Sequence, residues 1–254
     1  MLRLRDDQWE RIREHLPEEH IADGRVGRKP VPARAVLEAV LWILNTGAQW
    51  HMLPQCYPNY KTVHRRFQQW CERKVLRDIL MANTLREEGD IDERESFIDA
   101  TFASAKGGGD GIGKTRRGKG VTILAIVDRH GLPLSVSTHA AHHHEVTLVQ
   151  LSFDFYMLEA KPEHLIGDRA YDSDGLDDDL KQDGVNMIAP HRSTRKLKTQ
   201  DGRHLRRYQR RWLVERFFAW LQWKRRLLVR WEYYASNFLG FVQLASITML
   251  LKQF

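Results

Sequence analysis

Three carboxylates in this chain sit where carboxylates are costly. Asp99 lies in the middle of FIDATFA, flanked by Phe97, Ile98 and Phe102. Asp168 ends the apolar run HLIGD, and Glu215 stands among cations in YQRRWLVERFFAWLQWKRRL. A carboxylate on a buried strand loses its hydration and needs compensation. A shared divalent cation compensates two or three of them at once. Mg²⁺ prefers carboxylate oxygens and keeps waters that can face substrate phosphates. Two such ions ~3.5–4 Å apart can activate a water or hydroxyl and stabilise the leaving oxygen of an in-line displacement at phosphorus. Each acid alone also has a plainer reading: Asp99 as a turn or edge residue, Asp168 as a helix cap, Glu215 as the partner of Arg211 or Arg216.

A second chemistry competes. Gly108 to Thr115, GGDGIGKT, fits G-x-x-x-x-G-K-[ST], the phosphate cradle of P-loop nucleotide hydrolases. That reading needs a helix opening near Lys114. The chain continues instead as TRRGKGVTILAIV, two further glycines and then a β-branched run. The glycines therefore read as a connection between two strands. Its cations Lys106, Lys114, Arg116, Arg117 and Lys119 are expected to touch a DNA backbone just downstream of Asp99. His142, His143 and His144 suggest a metal tract, but no further Cys or His spacing completes a zinc site. They read as the entry to a helix.

The elements that must position these residues change character along the chain. Up to about residue 90, apolar residues recur at helical spacing: Trp9, Ile12 and Leu16; Val36, Leu37, Val40, Leu41 and Leu44; Val63, Phe67, Trp70, Leu76 and Leu80. Asp6 or Asp7 is placed to cap the first helix. From Ser96 the period shortens: FIDATFA, VTILAIVD, LPLSVSTHA, HLIGD and VNMIAP read as strands. Helical stretches separate the later strands, and long helices are expected from about Arg206 to the end. Three strands in succession, then alternating helix and strand, predict an α/β fold with a mixed sheet. Two domains follow: a helical one over 1–92 and an α/β one over 93–254.

Charge narrows the class of partner. The chain has 254 residues, 40 Lys+Arg against 33 Asp+Glu, net charge +7 and pI near 9.5. From Arg192 to Arg230 cations dominate, with Asp201 and Glu215 the anions among them. So dense a basic stretch is the footprint of a nucleic-acid binder. In KTVHRRF, Lys61, Arg65 and Arg66 lie off the apolar face, as a DNA-facing helix requires. Two cysteines, Cys56 and Cys71, make neither a disulfide framework nor a zinc pattern. With no apolar run of membrane-spanning length and no secretory signal, a cytoplasmic, nucleoid-associated bacterial protein is expected.

Taken in order, four segments resemble one family. TGAQWHMLPQCYPNYKTVHRRFQQW, IDATF, LIGDRAYDSDGL and YQRRWLVERFFAWLQWKRRL are similar to the N-terminal, first-Asp, second-Asp and Glu-helix motifs of bacterial insertion-sequence DDE (Asp-Asp-Glu) transposases of the insertion-sequence-five family. The resemblance implies a ribonuclease H-like catalytic domain whose mixed sheet is flanked by helices. It implies that Asp99, Asp168 and Glu215 hold catalytic Mg²⁺, with Mn²⁺ able to substitute. It implies cleavage at terminal inverted repeats, transfer of the 3′-OH to target DNA, and a homodimer on DNA, without nucleotide or membrane. The family's Tyr, Arg, Glu, Lys signature falls on Tyr208, Arg211 and Glu215, but its fourth position is Gln222; Lys224 lies two residues on. The spacing of 208, 211 and 215 puts a phenol, a guanidinium and a carboxylate on one helical face. An inactive DNA-binding protein is the alternative, and a P-loop nucleotide hydrolase a weaker one.

Overall fold

Alternation of large and small side chains in ESFIDATFASA suits a strand covered on both faces, and this segment becomes the middle of the sheet. The computed structural model describes residues 3–21, 29–82, 94–154, 156, 161–196 and 202–252; the boundary expected at 92/93 lies outside them. The strands are β1 (Glu95–Ala105), β2 (Gly113–Thr115), β3 (Gly118–Val127), β4 (Pro133–Ala140), β5 (His164–Ile166), β6 (Asn186–Ile188) and β7 (Val229–Arg230). β1, β3 and β4 form an antiparallel meander; β5 and β6 follow parallel to β1. Three antiparallel strands continued by two parallel ones are the ribonuclease H-like arrangement that the resemblance implies.

The helices are α1 (Asp6–Glu10), α2 (Ala33–Thr46), α3 (Tyr60–Glu72), α4 (Val75–Met81), α5 (Glu145–Phe153), α6 (Asp174–Gln182), α7 (Gly202–Leu205), α8 (Trp212–Gln222), α9 (Arg225–Leu228) and α10 (Ala235–Leu250). Alternation along the strands sorts them into two cores. Ile98, Leu124, Ile126 and Leu165 pack against Leu148 and Val149 of α5 and Leu176 and Leu180 of α6. On the other face Phe97, Ala103, Val121 and Ile123 join Val214 and Phe217 of α8 and the buried length of α10. The N-terminal helices belong to this same core: α10 packs on α3 and α4, and Phe67 stacks on Phe241 at 4.4 Å.

Three expected helices are interrupted. The first stops at Glu10 and tightens into a 3₁₀ turn, Arg13–His15; Arg5 is its N-cap, with Asp6 and Asp7 in the first turn. The second breaks at Lys74, whose φ of 58° is left-handed, dividing α3 from α4. The third begins as a 3₁₀ turn, Arg206–Arg210, and breaks again at Lys224. Apolar spacing runs through all three breaks, so periodicity does not reveal them.

Candidate active site

Strand pairing decides which residues meet. β5 runs parallel to β1 with Phe97 opposite Ile166, and pairing ends there. Two residues further along each strand stand Asp99 and Asp168. The two acids therefore sit at the fork where β5 leaves β1. Beyond it, among the described residues, β1 has no strand partner on that edge until β7 pairs Ser104 with Val229. Ligand sites in α/β sheets form at such carboxyl ends of strands.

Each carboxylate is held. The Ala100 N–H donates to Asp99 Oδ1 at 2.8 Å. Asp168 caps a 3₁₀ turn, Arg169–Tyr171, where the Ala170 N–H donates to its Oδ1 at 2.7 Å. Arg211 joins the third acid to the first: Nη1 donates to Asp99 Oδ2 at 2.8 Å and Nη2 to Glu215 Oε1 at 2.5 Å. Arg207 and Arg210, one turn before, both grip Glu95 at the start of β1, Arg207 Nε at 2.6 Å. Two clamps four residues apart on β1 thus fix the approach of α8. Burial pushes the Asp99 carboxyl above its usual range, and the charge of Asp168 adds to this; the Ala100 N–H and Arg211 oppose it.

Tyr208 lies in the 3₁₀ turn instead of on the helix with Glu215, a correction to the single helical face expected. Its ring packs against the core, with the Arg211 guanidinium 5.8 Å from its centre.

The cations expected to contact DNA divide by exposure. Lys114, Arg116, Arg117 and Lys119 are exposed at the tip of the β2–β3 hairpin, with Lys114 directly opposite Lys119. Like charges directly opposite destabilise a strand pair in the absence of an anion. Lys61 and Arg65 are exposed on α3. Arg66 is not part of that surface: it pairs with Glu18 at 3.1 Å, and Glu18 also accepts from Trp70 Nε1. Lys224 likewise turns inward at the α8–α9 break and donates to Asn45 Oδ1 at 2.7 Å. Burial lowers its ammonium to about 8. A depressed folded-state pKa leaves the penalty fully present below pH 8 and relieves it as pH rises toward the unfolded value. Lys224→Met is therefore expected to add about 2 kcal/mol of stability at pH 7, a gain that fades by pH 10. Urea melts of both proteins across that range check the sign.

The glycine-rich run serves the fold. Gly113 to Thr115 is strand β2, and Gly118 begins β3, so no helix opens at Lys114 and the P-loop reading fails. Gly109 has φ 140°, and a Cβ there would lie 2.1 Å from Tyr233 O. Asp110 accepts from the Ala235 N–H at 2.6 Å, and the buried Arg230 donates to Asp110 O at 2.6 Å and to Tyr233 O at 2.9 Å. The run is a backbone dock for the turn into α10. His142 and His143 are exposed, and His144 is the N-cap of α5.

Glu145, the first residue of α5, follows the histidine tract, at a point where the family that the chain resembles carries an acid after a His. Burial first, then the charges of Asp168 and Asp99, push its carboxyl up to about 7. Tyr171, fully buried beside it, is the neighbour that the sequence did not single out. Among the described residues no three His, Cys, Asp or Glu side chains already converge on one metal position. Arg211 stands between Asp99 and Glu215, where a cation would serve both. The donors are all hard oxygens, which suits a divalent ion of the Mg²⁺ type.

The sheet is mixed, with Asp99 and Asp168 at the fork of its central strand. Residues 91–250 match the family described as "Transposase DDE domain", and residues 4–80 match "Putative transposase of IS4/5 family". The chain belongs to the DDE transposase family. It is 36% identical over 118 residues to "Uncharacterized protein y4sN" of Sinorhizobium fredii, covering 46% of this chain and 87% of that one. It is 33% identical over 134 residues to "Putative transposase for insertion sequence element IS6501" of Brucella ovis, covering 51% of this chain and 97% of that one. Among solved structures, piggyBac transposase in a synaptic complex with hairpin DNA aligns with a TM-score of 0.42 and 12% identity, over 75% of this chain and 49% of that one. Among the described residues no helix is long and apolar enough to cross a membrane.

Proposed function

We propose that the protein cleaves phosphodiester bonds at the terminal inverted repeats of an insertion sequence and joins the freed 3′-OH ends to target DNA. The observation that carries this is the parallel register of β1 and β5, which sets Asp99 beside Asp168 with Glu215 tethered alongside through Arg211. Asp99, Asp168 and Glu215 would hold Mg²⁺, with Mn²⁺ as substitute. When bound, the metal supplies an activated oxygen nucleophile and stabilises charge at the reacting phosphorus.

The chain's own residues do the rest. In the resting protein Arg211 neutralises Asp99 and Glu215. On loading it exchanges those oxygens for a DNA phosphate, which a guanidinium grips in bidentate fashion. Tyr208 lines that path. The hairpin cations hold the strand near the cut, and Lys61 and Arg65, in the region up to about residue 92, position the duplex of the transposon end. Two ends must meet, so the active species is a homodimer on DNA, working at the nucleoid in the bacterial cytoplasm. Transesterification roughly conserves bond energy, so no nucleotide is consumed.

Incubating the protein with a terminal-repeat duplex and Mg²⁺, without ATP, tests this. Nicking at the repeat end is expected; binding without nicking would favour an inactive DNA-binding protein. Combining Lys114→Ala, Arg116→Ala and Arg117→Ala should weaken end binding and flatten its logarithmic salt dependence by about two to three, since each lost phosphate contact removes ~0.9. An unchanged slope would remove the hairpin from the interface.

A further inference from the structure

The loop after β6 is tied to the 3₁₀ turn that Asp168 caps. Asp172 follows that turn as its C-cap, and its side chain is 4% exposed. A carboxylate so buried needs donors on both oxygens, and this one has them. Arg195 Nη1 donates to Oδ1 at 2.6 Å, His191 Nδ1 lies 3.0 Å from the same oxygen, and the Arg192 N–H donates to Oδ2 at 2.7 Å. One acid thus gathers three residues of the segment 191–195. Arg192 completes the tie in the other direction. Its Nε donates to Arg169 O at 3.1 Å and its Nη2 to Ala170 O at 2.7 Å. Ala170 is the residue whose N–H donates to Asp168 Oδ1, so a guanidinium is bonded to the residue that fixes Asp168.

The charges around this tie are uneven. Arg195 is matched by Asp172 and Asp174. Arg169 and Arg192 are exposed, and among the described residues neither makes an ion pair. Both acceptors of the Arg192 guanidinium are carbonyl oxygens, which carry no net charge. Arg192 also borders a cleft of about 470 Å³; the acid in that lining is Glu145, and the two form no ion pair. Two carbonyls alone could be held by a neutral donor such as Gln. A planar guanidinium oriented by two carbonyls, with its charge unmatched, suits a phosphate.

We propose that Asp172 is a positioning residue that sets Arg192 beside the Asp168 turn as a contact for a phosphate of the bound DNA strand. This rests on the reading of the chain as a DNA-cleaving enzyme with Asp168 in its site. It adds a phosphate contact supplied by the loop after β6, separate from Arg211 ahead of α8 and from the cations of the β2–β3 hairpin.

Binding of a terminal-repeat duplex by the full chain, measured without divalent metal over a KCl series, tests this. Arg192→Ala is expected to weaken binding about tenfold at fixed salt and to flatten the logarithmic salt dependence by ~0.9, the loss of one phosphate contact. Arg192→Lys keeps the charge without the fork, so it should keep the slope while binding more weakly. Asp172→Asn sets an amide NH₂ against one of the loop's donors. It should lose most of the same slope with Arg192 still in place, and combining it with Arg192→Ala should add little, because the two act as one unit. If Arg192→Ala matches wild type in affinity and slope, the inference is overturned, while wild-type nicking at the repeat end keeps the proposed function intact. If Arg192→Ala flattens the slope but Asp172→Asn merely melts lower with the wild-type slope, Asp172 only supports the fold and its positioning role is overturned. Should Asp172→Asn fail to fold, Arg195→Gln, which loosens one of the loop's ties to Asp172, takes its place, and an unchanged slope has the same meaning. If wild type binds no terminal-repeat duplex, the inference and the reading beneath it both fall.

Discussion

In Glu215→Gln, nicking at a terminal-repeat end is expected to fall by more than about a thousandfold while affinity for that DNA changes less than about threefold. Loss of one metal-holding carboxylate removes several kcal/mol of transition-state charge stabilisation, and every ~1.4 kcal/mol is tenfold in rate. The substitution keeps the side chain's volume at a position 55% exposed, so the fold has little reason to respond. Arg211 loses the charge of one partner, can still donate to the amide oxygen there, and keeps Asp99. Single-turnover cleavage and gel-shift titration on the same duplex separate the two effects. Parallel losses would make Glu215 a DNA-binding residue, and unchanged cleavage would remove it from the active site.

Gly109→Ala should cost about 2–6 kcal/mol of stability. The backbone at φ 140° is one that side chains rarely adopt, a strain of ~1–3 kcal/mol. The added methyl also meets the Tyr233 carbonyl at 2.1 Å, and overpacking against backbone adds ~1–3 kcal/mol. For a chain of this size that is a drop in Tm of roughly 4–24 °C. Gly108→Ala, where a Cβ has no neighbour within 4 Å, is the matched control. Equal melting temperatures for the two variants would mean that the run does not dock on the turn into α10.

The strands were legible because apolar alternation and turn residues are local signals, and the order of elements placed Asp99 and Asp168 on the sheet. Their adjacency was not legible from periodicity. It depends on β1 pairing in parallel with β5, a choice made by the helices that cover the two faces. Glu95 was missed for a related reason. It belongs to no spaced pattern and acquires its meaning from a partner far away in sequence, Arg207. Arg66 and Lys224 show the reverse error. Both looked like surface cations because charge is usually solvated, and both are folded inward onto partners, Glu18 and Asn45, that spacing could not have named. The GGDGIGKT run misled because glycine permits close approach of any backbone, and here the visitor is Tyr233 instead of a phosphate.

The burial of α10 between the sheet and the N-terminal helices constrains how the gene product can fail. Phe241 and Phe67 stack across that junction, and both are fully covered. A ribosome that stops before α10 releases N-terminal helices whose Phe67 and Trp70 have lost their cover. Such a fragment would aggregate or be degraded before it could occupy transposon ends. Loss of α10 is therefore expected to remove DNA binding together with cleavage, and not to leave a fragment that binds without cutting.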